Sequence, residues 1–582
     1  MRKTKIICTL GPSTDDPQIL REMIHAGMDV ARFNFSHGSH EEHKARLAQL
    51  KKLRKELYRP VAALLDTKGP EIRLKEFAGG AAVLERGQLF TLYGGPHEGN
   101  AQGCSISFVD LWKDVTPGCR ILLDDGLIEL VVDQIREPDI ICRVQNGGPI
   151  SDHKGINVPN VSISMPYLSD RDRDDIRFGA ENGFDFIAAS FTRCADDILQ
   201  IRALLKELGC DTINIIAKIE NREGVENIDE IVAVSDGIMV ARGDMGVEID
   251  LEQIPVIQKK LIKKIYNSDR PVITATQMLE SMIQHPRPTR AEATDVANAI
   301  YDGTSAIMLS GETAVGKYPV DAVRTMCRIA EAAEADIDYV KRFKTRSDGQ
   351  LPDVTNAISH ATCTTAIDLG ATAIITVTKS GHTARMISKY RPSMPIIGCC
   401  PTSSGARRLN LSWGVVPTLV EMTDDSDQLF EMAVKSAEEA GIVHTGDVVV
   451  LTAGLPLGIS GTTNLLKVEV VGNLLVSGNG LIPKKVCGRL CVCKNETEAL
   501  EAFEDGDILV IPYTSNRILP LLKRASGLVV EQGGPDSHAA TVCLALEIPA
   551  VLGAIGATQI LKHGSVVQLD SGRGVVSSAS KN

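Results

Sequence analysis

Eight short apolar runs decide what the first part of this 582-residue chain can become. They read as strands at 4–10 (TKIICTL), 30–36 (VARFNFS), 61–67 (VAALLDT), 186–190 (FIAAS), 213–219 (INIIAKI), 237–243 (GIMVARG), 271–276 (PVITAT) and 306–310 (AIMLS). The runs are rich in β-branched residues and nearly continuous in hydrophobicity, as strands covered on both faces are. Helical patterns separate them. Strands that alternate with helices pair in parallel. Eight such units predict a closed (β/α)8 barrel.

One spacing breaks the pattern. Between Thr67 and Phe186 lie far more residues than one helix needs. The segment carries "GQLFTLYGG", "CRILLDDGLIELVV" and "DIICRVQNGG", strand-like pieces parted by turn residues. This predicts a small β-barrel domain inserted after the third strand and poised as a lid over the barrel mouth. The expected divisions are a barrel at 1–69 and 168–340, a lid domain at 70–167, an α/β regulatory domain at 350–473 with strands near 373–378, 395–399 and 447–452, and a last domain at 485–582. "KRFKTRSDGQLPD" and "VSGNGLIPKK" read as linkers between them.

A chain of this length exceeds what one core can organise, so several domains are expected on size alone. Lys and Arg total 62 against 74 Asp and Glu, a formal charge of −12. That balance argues against nucleic acid or an anionic membrane surface as a partner, while leaving room for a local basic pocket. "MRKTKIICTLGPS" has too short an apolar run for a signal peptide, and no run reaches the roughly 20 apolar residues of a membrane helix. A cytoplasmic protein with reduced thiols is expected from 14 cysteines without a secretory signal. "VCGRLCVC" puts Cys487, Cys491 and Cys493 on one face of a strand, with no second pair at zinc-finger spacing.

The strand ends carry the chemistry. "IIAKIENREG" (215–224) finishes a strand with Lys218 and Glu220, and "IMVARGDMG" (238–246) finishes the next with Arg242, Gly243 and Asp244. Other ends contribute Arg32, Asn34 and Ser36, then Asp66, Thr67 and Lys68, then Thr276. Residues two apart on a strand share a face, so Arg32, Asn34 and Ser36 point together, as do Lys218 and Glu220. Glu220 and Asp244 suit Mg2+ (or Mn2+), a hard cation often held by only one or two protein carboxylates. Lys218 and Arg32 beside them suit an anion rich in oxygen. A single pair of this kind is an ordinary salt bridge. Six or more polar groups at the strand ends of one barrel point to a site.

Set beside "VARFNFSHG" (30–38), "LLDTKGPEIR" (64–73), "ITATQMLESM" (273–282) and "RPTRAEATDVANAIYDGTSAIMLSGETA" (287–314), these motifs strongly resemble the pyruvate kinase family over residues 1 to about 473. The resemblance implies transfer of a phosphoryl group from phosphoenolpyruvate to ADP, giving pyruvate and ATP as the last step of glycolysis. It implies Lys218 as the stabiliser of the transferring group, Arg32 as a substrate-phosphate contact, and Gly243, Asp244 and Thr276 around the substrate carboxylate. Thr276, or water that it holds, is the implied proton relay to the enolate. Glu220 and Asp244 match the family's Mg2+ ligands. Asn34, Ser36, Asp66 and Thr67 match the K+ ligands, and Glu71 in "GPEIR" marks the K+-dependent class. Arg73 and Arg171 match nucleotide contacts. A homotetramer is implied.

"TVTKSGHTARMISKYRP" (376–392) offers Thr378, Lys379, Ser380, Gly381, His382 and Thr383 at a helix start, a phosphate nest that resembles the family's effector site. The matching stretch 452–464, "TAGLPLGISGTTN", lacks the Trp and Arg of sites that grip a second phosphate, which points to AMP or a sugar monophosphate as effector. "EQGGPDSHAATVCLALEIPAVLGA" resembles the mobile phosphohistidine domain of phosphoenolpyruvate-utilising enzymes, with His538 at the phosphorylated position. Asp536 stands where that motif has Thr, and the following Arg is missing, so the domain reads as a structural or regulatory remnant. Two alternatives are a relay through His538 and a catalytically silent metabolite sensor. The intact Lys218, Glu220 and Asp244 set argues against the sensor.

Overall fold

The computed structural model describes residues 1–345, 353–423, 425–454, 463–472, 474–534 and 536–578. Its described residues fall into two compact units, one of residues 1–360 and 378–419, the other of residues 361–377, 420–454 and 463–578.

In the first unit the eight expected strands are present as Lys5–Thr9, Val30–Asn34, Ala62–Asp66, Phe186–Ala189, Asn214–Ile219, Gly237–Ala241, Val272–Ala275 and Ala306–Leu309. They close into a parallel barrel, the first strand pairing with both the second and the eighth. Alternation divides each strand between two cores. Ile7, Val30, Leu64, Phe186, Ile216, Met239 and Ile273 pack together inside the barrel. Their neighbours Ile6, Cys8, Ala63, Leu65, Ile215 and Ala217 pack outward against the surrounding helices. That double burial explains why the runs are continuous rather than alternating.

The helices begin where the sequence caps them. Ser39, Ser169 and Thr289 each accept from the backbone three residues on, and Glu42, Asp172 and Glu292 reciprocate. Such capping boxes satisfy backbone donors that the first turn leaves open.

The chain leaves the barrel after Ala62–Asp66 and re-enters at Phe186. The excursion forms a seven-stranded sheet running from Ile72–Arg73 at one edge to Gly103–Ser105 at the other. The two edges meet: Ser107 N–H donates to the Arg73 carbonyl at 2.9 Å and Lys75 N–H to the Ser105 carbonyl at 2.8 Å. A sheet joined edge to edge is a small barrel and leaves no open strand for aggregation. Its interior is a separate core that includes Phe90, Leu92, Ile121, Leu130 and Ile140. The first unit also holds Ile396–Cys400 paired in parallel with Val415–Leu419.

In the second unit Val448–Ala453 pairs in parallel with Ala373–Val377 and antiparallel with Leu465–Val470. A separate eight-stranded sheet runs in the order Leu474–Ser477, Val575–Ser578, Val566–Asp570, Lys485–Val492, Ile508–Ile511, Gly527–Val530, Ala550–Leu552, Asn479–Leu481. Here the structure corrects the second linker. Leu474–Ser477 and Asn479–Leu481 are the two edge strands of this sheet, not a spacer. Gly480 looked like a flexible-linker residue, yet it is there for close approach: a Cβ at Gly480 would lie 1.8 Å from the Ser571 carbonyl oxygen. The first linker is also partly ordered, with Tyr339–Lys344 helical and residues 346–352 outside the described set.

A chain ending at Val471 is therefore expected to stay soluble with its barrel's circular dichroism intact. A chain ending at Pro483 keeps two edge strands without partners and is expected to aggregate. Equal solubility of the two, measured by light scattering, would contradict the strand assignment.

Candidate active site

Counting inward positions toward the strand ends, two residues at a time, brings chemistry to the barrel mouth. Val30 leads to Arg32 and Asn34, Leu64 to Asp66, Phe186 to Ser190, and Ile216 to Lys218 and Glu220. Asp66, Ser190, Lys218 and Glu220 are all buried.

Lys218 is the hub. Its Nζ donates to Ser190 Oγ at 2.7 Å and lies 3.1 Å from Asp66 Oδ1 and 3.0 Å from Glu220 Oε1. Arg32 holds the other face of Asp66, Nε to Oδ2 at 2.6 Å, and reaches Thr9 Oγ1 at 2.9 Å. Burial alone would pull an ammonium down. Asp66, Glu220 and Asp244 overrule it and hold Lys218 above its ordinary value. Burial would raise Asp66, but Lys218 and Arg32 keep its carboxyl below the usual range. Glu220 goes the other way: burial pushes it up to about 8, Lys218 opposes, and the nearby Asp244 adds to the rise. The pattern is one of charge excess. Three carboxylates face two cations, so the last carboxylate to ionise does so against repulsion.

That excess tests whether a divalent cation fits. Glu220 Oε2 accepts from Phe191 N–H at 2.5 Å, but Oε1 is buried with no hydrogen bond, the nearby ammonium lying outside hydrogen-bond geometry. An unsatisfied carboxylate oxygen beside a second carboxylate suits a hard cation that keeps its remaining positions for substrate and water. For a monovalent cation the candidate donors are hard oxygens as well. Asn34 and Ser36 are half-buried and Asp66 and Thr67 buried, with Asn34 Oδ1 accepting from Ser36 N–H at 3.1 Å.

Gly243 and Thr276 are brought together directly: Gly243 N–H donates to Thr276 Oγ1 at 2.7 Å, and the Thr276 hydroxyl donates to the Ala275 carbonyl at 2.6 Å. Thr276 and Gln277 have φ of 70° and 52°, a left-handed turn that a β-branched residue adopts only under constraint. The constraint is Arg242. Its guanidinium donates to the Thr276 carbonyl at 2.5 Å and the Gln277 carbonyl at 3.2 Å, and pairs with Asp295 at 2.6 Å.

Sequence reasoning passed over Ser190 and gave Arg242, though visible at its strand end, no role; its donors go to the Thr276 and Gln277 carbonyls and to Asp295. Ser190 could have been found by the alternation that located Lys218. Its hydroxyl, which accepts from Lys218, lies 3.1 Å from Asp66 Oδ1 and 2.7 Å from the Thr67 carbonyl. Gly69 makes room for it: at φ 73°, a Cβ on Gly69 would come 2.8 Å from Ser190 Cβ.

The remaining expected residues lie elsewhere. Glu71 is bound on both oxygens by Arg73, at 2.9 and 2.7 Å, with Lys68 at 3.9 Å. Arg171, in the first turn of Asp170–Asn182, donates to the Phe35 carbonyl at 2.8 Å and is half-exposed. A cleft of about 250 Å3 separates the inserted domain from the loops after the fourth and fifth strands and from Glu248 after the sixth. Asn157 to Glu248 at 2.7 Å, Arg222 to Asn160 at 2.6 Å and Ser162 to Glu223 at 3.0 Å span it.

Away from the mouth, Gly381 has φ 82° and donates its N–H to Thr378 Oγ1 at 3.0 Å, starting helix His382–Lys389. Lys379 is exposed and Thr383 buried, and burial lowers His382. Of the matching stretch 452–464, residues 455–462 lie outside the described set. In the second unit His538 opens helix His538–Leu546, with Nδ1 2.9 Å from Thr514 Oγ1 and Nε2 3.0 Å from Asn516 Oδ1.

Known proteins match this arrangement along the whole chain. The profile of the pyruvate kinase barrel domain covers residues 1–323, that of the pyruvate kinase alpha/beta domain 356–469, and that of the PEP-utilising enzyme mobile domain 503–574. Pyruvate kinase of Sporosarcina psychrophila is 48% identical over 578 residues, spanning 99% of both chains. That of Geobacillus stearothermophilus is 47% identical over 99% of this chain and 98% of its own. A solved pyruvate kinase from Cryptosporidium parvum superposes with a TM-score of 0.77 at 41% identity, covering 81% of this chain and 96% of that one. With barrel, alpha/beta and terminal regions each matched, and near-half identity over 99% of the chain, the chain belongs to the pyruvate kinase family.

Proposed function

We propose that this pyruvate kinase transfers the phosphoryl group of phosphoenolpyruvate to ADP at the Lys218 cluster, with Mg2+ (or Mn2+) and K+ as cofactors, as the last step of glycolysis. The observation that carries the reading is a buried ammonium held at 2.7–3.1 Å by Ser190, Asp66 and Glu220. Phosphoryl transfer passes through a loose state with charge spread over the equatorial oxygens, so positioning and electrostatics do most of the work. Lys218 supplies a fixed cation for those oxygens and for the enolate left behind. Arg32 offers planar donors to the substrate phosphate. Glu220 and Asp244 would hold the divalent ion, which supplies Lewis-acid neutralisation of phosphoryl charge when bound. Asn34, Ser36, Asp66 and Thr67 would hold K+. Gly243 and Thr276 receive the substrate carboxylate. The Thr276 proton is committed to the Ala275 carbonyl, so Thr276 positions a relaying water rather than acting as the acid itself. Arg73 and Arg171 contact the nucleotide.

The wider reading follows the family. The inserted domain at 70–167 acts as lid on the barrel at 1–69 and 168–340, residues 378–383 bind a monophosphate effector such as AMP or a sugar monophosphate, and four copies assemble in the cytoplasm. Among the described residues no helix is long and apolar enough to cross a membrane. The last domain, 485–582, is read as a structural or regulatory remnant: both His538 ring nitrogens already have polar neighbours, Nδ1 at 2.9 Å from Thr514 Oγ1 and Nε2 at 3.0 Å from Asn516 Oδ1.

Lys218→Met is expected to lower kcat for ADP-dependent pyruvate release by about 10²–10³ or more, as loss of one preorganised electrostatic group does. Ser190→Ala is expected to cost about ten- to a hundredfold with little change in KM for phosphoenolpyruvate, since a buried partner is left unmatched. Near-normal kcat in either variant would remove that residue from the mechanism. Activity is expected to need K+, and Glu71→Lys, which places a cation beside Arg73, to relieve the requirement. Full activity of the unmodified enzyme in K+-free buffer would overturn the K+ assignment.

A further inference from the structure

The loop after the third barrel strand carries a cation that the site described above leaves without a task. Lys68 lies between Thr67 and Gly69, and its backbone is held on both sides. Thr67 N–H and the Thr67 hydroxyl both donate to the Ala188 carbonyl, at 3.0 and 3.2 Å. Gly69 N–H donates to Asp172 Oδ1 at 3.0 Å, and its left-handed φ of 73° seats the loop against Ser190. The root of the Lys68 side chain is therefore fixed at the rim of the mouth, while the side chain is 25% exposed. Among the described residues its Nζ makes no hydrogen bond, and its one ion pair is with Glu71 Oε2 at 3.9 Å. That oxygen already accepts from Arg73 Nε at 2.9 Å, and Arg73 Nη2 holds Oε1 at 2.7 Å. The neighbouring carboxylates are committed too. Asp172 accepts from Gly69 N–H through Oδ1 and from the Ser169 hydroxyl through Oδ2. Asp175 has His40 at 2.6 Å and Arg171 at 3.8 Å. A half-buried ammonium with no acceptor in reach keeps its donors open to an oxygen-rich anion.

Three elements bring cations to this stretch of rim. Lys68 comes from the loop after the third strand, Arg73 from the first strand of the inserted domain, and Arg171 from the first turn of helix Asp170–Asn182; both arginines act on Lys68 electrostatically. Lys68 is two residues beyond Asp66, whose Oδ1 lies 3.1 Å from Lys218 Nζ, so of the three it is nearest along the chain to the phosphoryl-donor cluster. A lysine is a point charge on a flexible stem and can follow a moving phosphate, whereas an arginine fork holds one plane. We propose that Lys68 binds the terminal phosphate of the nucleoside diphosphate acceptor, leaving Glu71 to Arg73, and aims its attacking oxygen at the donor phosphorus. This rests on the reading of the barrel mouth as the site of transfer from phosphoenolpyruvate to ADP. In that transfer a β-phosphate oxygen forms the new P–O bond as the bond to the enolate oxygen breaks, and the Lys68 ammonium keeps its protons throughout. Lys68 is then a substrate contact on the acceptor side, as Arg32 is on the donor side.

Lys68→Met is expected to raise KM for ADP about tenfold or more and to lower kcat, with KM for phosphoenolpyruvate changed less than about twofold, since a charge-assisted contact to the acceptor alone is lost. Lys68→Arg, which restores the charge, is expected to recover most of the ADP affinity. Reductive methylation of the unmodified full chain, read by mass spectrometry, needs neither turnover nor a variant that folds. Lys68 should be methylated in the free protein and in the presence of phosphoenolpyruvate, and protected when ADP and Mg2+ are present. Protection by phosphoenolpyruvate with none from ADP would move Lys68 to the donor side and overturn the proposal. An unchanged KM for ADP in Lys68→Met would overturn it as well. Failure of the unmodified enzyme to release pyruvate from phosphoenolpyruvate and ADP would contradict the functional reading instead, and protection by ADP would still decide whether Lys68 meets the nucleotide.

Discussion

Everything at the barrel mouth turns on an imbalance: three carboxylates, the buried Asp66 and Glu220 and the half-buried Asp244, act on only two cations, Lys218 and Arg32. The barrel makes the cluster possible because alternate residues of adjacent parallel strands converge at one end. It is also costly, since charges taken from water must be repaid by geometry. Lys218 is repaid three times over, by Asp66, Ser190 and Glu220. Glu220 is not, and its unsatisfied oxygen is the place where the fold asks for a further positive charge. Stability and function are therefore coupled in one group of side chains.

The surroundings hold that cluster in place. Gly69 lets the loop after the third strand lie against Ser190, and Gly69 N–H donates to Asp172 Oδ1 at 3.0 Å, tying the same loop to a helix start. Arg242 stabilises the left-handed turn at Thr276 by collecting its carbonyls. The inserted domain is a closed barrel with its own core, so it can be displaced as a body while Asn157, Asn160 and Ser162 make the polar contacts across the cleft.

Much of this was legible in the sequence because buried parallel strands leave a strong mark. All eight runs became barrel strands within a residue or two of their expected ends, and the oversized gap after Thr67 did hold a second β barrel. Lys218 and Glu220 were visible because charges at the end of an apolar run are unusual. Ser190 was not, because serine ends many strands without consequence, and only the inward count from Phe186 singles it out. The task of Arg242 was not legible, because only the structure reveals that its donors serve the Thr276 and Gln277 carbonyls and Asp295. Gly478 and Gly480 suggested a linker by composition. Their real cause is crowding, with backbone from other strands too close for any side chain.

The most direct test of this account is whether a divalent cation displaces a proton from the cluster. With burial pushing Glu220 up to about 8, its carboxyl is expected to hold a proton more readily than an ordinary glutamate near neutral pH in the metal-free protein, and a cation binds only the ionised form. Calorimetric titration of Mg2+ into the metal-free enzyme near pH 7, in two buffers of different ionisation enthalpy, should give heats that differ between the buffers, with net release of protons on binding. The difference should fade above about pH 9, once the carboxyl is already ionised. Heats independent of the buffer at neutral pH, or an unchanged proton release in Glu220→Gln, would contradict the central claim.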